Sequence, residues 1–125
     1  MNNQTAYSLY DEVCEGTTFT VEGDCLDSSF SPIRLKDGQK LNVCEFTGFV
    51  AHKDIEKVRG RVCVIQYSHW GYRYFIVKEV VGIDEAADRL RLRYYYPLVS
   101  DVFLNIKEIE RVWIVEGVKE RRKAV

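Results

Sequence analysis

The sequence predicts a mostly β protein built as one small domain, and three observations carry that reading. Runs that alternate apolar with polar residues recur along the chain, which is the period of a half-buried strand. Aromatic residues make up 13% of the sequence, including eight tyrosines, and such side chains favour strands. Turn signals built on Gly, Asp and Ser separate the runs. The length of 125 residues allows one domain with its own core, and an apolar content of 46% excludes a disordered chain.

Residues 1–6 are polar and residues 7–16 mixed, so 1–16 reads as a flexible N-terminal arm. Thr17 to Gly23 alternates, with Phe19 and Val21 on one face, and is the first strand. Asp24 to Pro32 is a loop rich in Asp and Ser. Lys36-Asp37-Gly38-Gln39 is a turn, followed by a strand over Lys40 to Phe46. Thr47 to Gly60 breaks the pattern, and Asp54 there suits the cap of a short helical turn, Ile55 to Val58. Arg61 to Tyr67 and Tyr72 to Val81 are strong β runs joined by a hairpin turn at Ser68-His69-Trp70-Gly71. Asp84 to Asp88 is a loop. Arg89 to Tyr96 is a strand ended by Pro97, and Val102, Leu104 and Ile106 continue the alternation. Glu108-Ile109-Glu110 suits a tight bend, and Ile109 to Val118 is the last strand. About seven strands with little helix point to coiled antiparallel sheets in a single domain over 17–118. A basic tail, 119–125, follows; its run Lys119-Glu120-Arg121-Arg122-Lys123 reads as a solvated end rather than a phosphate site.

The net charge of −1 gives no global attraction to nucleic acid. Cys14, Cys25, Cys44 and Cys63 form no C-x-x-C pair, which argues against a zinc or thioredoxin-like site. Met1 leads into polar residues without a basic start or an apolar core, so no secretory signal is read. A cytoplasmic location and free thiols follow, with Cys44 and Cys63 as small core residues. No stretch reaches membrane-spanning length.

Two segments carry chemistry. Val21-Glu22-Gly23-Asp24-Cys25-Leu26 ends a strand with a turn that presents a thiol and two backbone N–H groups. Phe75-Ile76-Val77-Lys78-Glu79-Val80 places a lone lysine inside a β run, where it must reach solvent or serve a site. Nucleophile, base and oxyanion hole are the parts that acyl transfer requires.

Taken with two further segments, these resemble the LexA-like self-cleaving peptidase family, which includes LexA, the lambdoid phage repressors and UmuD. The Val21-Glu22-Gly23-Asp24-Cys25-Leu26 segment resembles the family's V-x-G-D-S-M box. Lys36-Asp37-Gly38-Gln39-Lys40-Leu41-Asn42-Val43 resembles the D-G-D-x-L-x-V element, and the Lys78 strand resembles V-K-R-[LIV]. Ile109-Glu110-Arg111-Val112-Trp113-Ile114-Val115-Glu116-Gly117 resembles the closing strand. The four lie in the family's order over roughly residues 17–118. The inserts after Asp24 and before Gly60 most resemble repressor-like members from Bacteroides and their phages.

The resemblance implies Cys25 as nucleophile, Lys78 as general base and the Asp24 and Cys25 N–H groups as oxyanion hole, with Gly23 and Leu26 as motif support. It implies no metal and no cofactor. It also implies a homodimer through the C-terminal strand, Ile109 to Val118, with a DNA-binding repressor or a polymerase as possible partner.

Three departures bear on function. Cys25 replaces the family's serine, and a thiol beside an amine can be a neutral pair or a thiolate with an ammonium. The N-terminal arm holds no Ala-Gly or Cys-Gly bond to cut, only Cys14-Glu15-Gly16. Sixteen residues before the first strand hold no helix-turn-helix, so the chain reads as a stand-alone domain or a fragment, and with Met1 at its start the stand-alone domain is the expectation. The expected role is a dimeric regulatory domain of phage or mobile-element type with a slow or silent peptidase site. The alternatives are an active peptidase acting in trans and a UmuD-like polymerase accessory subunit. A signal-peptidase relative would share the dyad but need a membrane anchor.

Other residues read as structural. His52 lies in a loop and His69 in the hairpin turn, both exposed. Trp113 faces away from Val112 and Ile114 and suits a contact surface. Tyr94-Tyr95-Tyr96 reads as an edge or interface stripe in preference to a base-stacking platform.

Overall fold

The computed structural model describes residues 12–14 and 18–119. In chain order these form β1 (Glu12–Cys14), β2 (Thr18–Thr20), β3 (Leu41–Glu45), α1 (Ala51–Val58), β4 (Val62–His69), β5 (Tyr72–Asp84), β6 (Arg89–Tyr94), β7 (Ser100–Asn105), a 3-10 turn (Ile106–Glu108) and β8 (Ile109–Val118). Strands β3 to β8 make a six-stranded antiparallel sheet in the order β3-β8-β4-β5-β6-β7, and β1 pairs with β2 in a separate ribbon. The mostly β expectation holds, with one six-stranded sheet as its centre.

Sequence chemistry explains the sheet. In β4 every residue from Val62 to Tyr67 is buried, the mark of a strand covered on both faces. The β4–β5 hairpin closes through Trp70 and Gly71, with φ of 53° and 83°. A two-residue loop with both φ positive matches the twist of the flanking strands. On one face Val58 of α1 packs with Cys63, Ile65, Ile76, Val80, Leu90 and Leu92. On the other, the segment 19–41 supplies Phe19, Val21, Leu26, Leu35 and Leu41, which cover Val62, Val64, Trp113 and Val115.

Several expectations need correction. Residues 12–14, placed in the N-terminal arm, form a strand against β2. The helix is longer than one turn and begins at Ala51, so His52 is helical. Asp54 sits inside its first turn, where Oδ2 accepts from the Val50 N–H at 2.9 Å. Trp113 is a core residue, 2% exposed, with Phe19 edge-on at 4.8 Å. Alternation did place it opposite Val112, but segment 19–41 covers that face. Cys44 is exposed because β3 lies at the sheet's edge, whereas Cys63 is buried as expected. Strand β8 is interior, hydrogen-bonded to β3 on one side and β4 on the other, so its backbone is not free to pair with a second copy. The tail residues 120–125 lie outside the described residues. Among the described residues, no helix is long and apolar enough to cross a membrane.

Candidate functional site

The turn after β2 is fixed by the second motif. Val21 N–H donates to Gln39 O and Gly38 N–H to Val21 O, each at 2.8 Å. The Asp37 carboxylate then accepts from the Gly23 N–H at 2.8 Å. Gly23 has φ of 92°, a left-handed conformation that costs a residue with a Cβ. Leu26 is buried, and its carbonyl accepts from the Leu35 N–H at 3.0 Å, which closes the following loop. The Gly-Asp-Cys turn is therefore held on both sides.

The sheet supplies the other half. Strands β5 and β6 pair from Asp84↔Arg89 to Glu79↔Arg93. Beyond that pair the backbone of Cys25 stands against the continuation of β6. Its carbonyl accepts from the N–H groups of Tyr95 at 2.7 Å and Tyr96 at 3.1 Å. Its sulfur lies 3.8 Å from Val77 O. The site sits where two paired strands part.

There Lys78 Nζ donates to Cys25 Sγ at 3.3 Å, across 53 residues of sequence. Lys78 is 5% exposed. Among the described residues no carboxylate lies within ion-pair distance of it. Its Nζ also lies 5.6 Å from the centroid of the Tyr94 ring. The ring face offers a buried cation partial compensation. Cys25 is half-buried.

Of the residues picked from sequence, Cys25 and Lys78 are in contact, and Gly23 and Leu26 shape the turn. Among the described residues, no hydrogen bond engages the Asp24 or Cys25 N–H. The stripe Tyr94-Tyr95-Tyr96 belongs to this site, which sequence reasoning missed. Tyr94 faces Lys78, the Tyr95 and Tyr96 amides hold Cys25, and the Tyr95 hydroxyl hydrogen-bonds Glu79 Oε1. Burial, and then the Glu79 carboxylate, push the Tyr95 hydroxyl above its ordinary range. The β5–β6 register was the signal that could have found them.

The histidines stand apart from the pair. His52 Nε2 meets Asp88 Oδ1 at 2.7 Å and His69 Nδ1 meets Glu108 Oε2 at 2.7 Å, both exposed. Among the described residues, no three His, Cys, Asp or Glu side chains converge as metal ligands. Comparison with protein-family models, with curated proteins and with solved structures gives no match.

Proposed function

We propose that this chain is a LexA-like regulatory domain whose serine/lysine autopeptidase site carries cysteine as the nucleophile and works slowly or not at all. The observation that carries this reading is the 3.3 Å contact between Lys78 Nζ and Cys25 Sγ. A lysine buried without a carboxylate is costly unless a site uses it. The two unengaged amides beside the sulfur and the glycine turn that presents them support the same assignment. In this reading Cys25 attacks a peptide carbonyl, Lys78 moves the proton to the leaving amine, and the Asp24 and Cys25 N–H groups receive the oxyanion. The larger sulfur in a hydroxyl-sized site slows the reaction. The regulatory role includes self-association, and since β8 is interior, contact there would use exposed side chains such as Glu116 rather than backbone.

The experiment incubates the full chain at rising pH, alone and with a helix-turn-helix repressor carrying an Ala-Gly bond, and follows mass. Wild type is expected to cut slowly or not at all, and Cys25→Ser to cut faster. Cys25→Ala and Lys78→Ala are expected to be inert. Cleavage that survives Lys78→Ala, or a Cys25→Ser protein no faster than wild type, would refute the dyad.

A further inference from the structure

We propose that Cys25 and Lys78 form a redox-modification site, in which a peroxide joins sulfur to nitrogen and a thiol reductant releases them. This goes beyond the peptidase reading, because it needs the contact and no peptide substrate.

The case rests on selection among the cysteines. Cys63 is wholly buried in β4, and burial pushes its thiol up to about 12, so it is shielded and unreactive. Cys44 is exposed on the edge strand, and its sulfur lies 3.9 Å from the Glu45 carbonyl oxygen. Cys25 alone of these three combines partial exposure with an amine at 3.3 Å. The second observation is the amine itself. Lys78 is buried, and among the described residues the Cys25 sulfur is its hydrogen-bond acceptor, with no carboxylate at ion-pair distance. Exposure admits an oxidant to a thiol, and of these three cysteines Cys25 offers the oxidant both partial exposure and a neighbouring amine. Once the sulfur is oxidised, the nearest nucleophile is already in place.

The chemistry balances with peroxide as the oxidant. The Cys25 sulfur attacks one peroxide oxygen, the O–O bond breaks, and the departing hydroxide leaves as water with a proton from the pair. The product is a sulfenic acid. The neutral Lys78 amine then attacks sulfur, the S–O bond breaks, and a second water leaves with an amine proton. Thiol, amine and one peroxide thus give one S–N bond and two waters, with sulfur oxidised and peroxide reduced by two electrons. Two equivalents of an external thiol reverse it, yielding a disulfide, the free thiol and the free amine. The bond would pin the Gly23-Asp24-Cys25 turn to β5 and remove nucleophile and base together.

The test treats the full chain with hydrogen peroxide, blocks free thiols, digests at acidic residues and reads peptide masses. The expected product joins the Cys25 and Lys78 peptides at a mass lower by two hydrogens, and dithiothreitol separates them. Lys78→Met, which keeps the side chain's bulk, and Cys25→Ser should both lack it, while Cys44→Ser should keep it. Recovery of Cys25 only as sulfinic acid or as an intermolecular disulfide would overturn the proposal. So would cross-linking in equal yield to other lysines. Cys25→Ser also separates the two readings, since it abolishes the S–N bond but is expected to speed peptide cleavage.

Discussion

Two cations on neighbouring strands meet opposite environments. Arg93 of β6 lies at the surface side of the sheet, where Asp101 of β7 accepts from its Nε at 2.7 Å and Arg91 shares the same carboxylate. Lys78 of β5 is buried and faces a sulfur and a ring. The first arrangement is ordinary sheet electrostatics: two partly exposed guanidiniums share one carboxylate close to water. The second places a charge-bearing group where solvation is lost and gives it no carboxylate in return. Lys78 thus differs from Arg93 in having, among the described residues, a sulfur and a ring beside it and no carboxylate at ion-pair distance.

The contrast is broken most strongly by Lys78→Met. Replacing this buried lysine, which has no carboxylate at ion-pair distance among the described residues, by an apolar side chain of similar volume should stabilise the protein by about 1–3 kcal/mol. Urea unfolding reads the change, and destabilisation would mean that Lys78 is structural after all. Tyr94→Leu sharpens the same side of the comparison. Loss of the ring beside the amine should cost about 0.5–2 kcal/mol in wild type and nearly nothing in the Lys78→Met background. Equal costs in both backgrounds would remove the ring–amine interaction from the account.

Asp101→Asn tests the other side and should cost only about 0.2–1 kcal/mol at neutral pH, because the cluster is partly exposed and screened. The Arg93 guanidinium, and then that of Arg91, hold the Asp101 carboxyl below its ordinary range. A carboxyl lowered in the folded state stabilises fully above its unfolded value of about 4, and the contribution fades as pH falls through the folded value. Acid titration of stability should therefore show a shallower fall for Asp101→Asn than for wild type. An unchanged slope would show that the Arg–Asp cluster carries no linkage.

The pair itself was legible in the sequence because both halves carry local signatures. A lysine inside Phe75-Ile76-Val77-Lys78 has no place in an ordinary buried strand, and Gly23-Asp24-Cys25 marks a strand end. Tyr94 was not legible as part of the site. Its position opposite Lys78 depends on the β5–β6 register, which shifts between Val80 and Gly82; a glycine inside a strand run signals such a bulge but does not by itself fix the pairing. Trp113 read as surface because alternation assigns one face to solvent, whereas segment 19–41 folds back over it. Cys44 read as core because its neighbours are apolar, but an edge strand exposes part of what it carries. The helix was hidden because its apolar stripe, Ala51, Ile55 and Val58 at i, i+4 and i+7, is only two turns long and carries Asp54 on the same side.

The most direct test of the Cys25–Lys78 contact is competitive alkylation of the native chain by limiting iodoacetamide at neutral pH, with each cysteine's label read by peptide mass. Cys44 is the more exposed thiol, so exposure alone would favour it. The account predicts that Cys25 is labelled faster, by about tenfold or more, and that Lys78→Met abolishes the advantage. Labelling that follows exposure, with Cys44 first and no response to Lys78→Met, would contradict it.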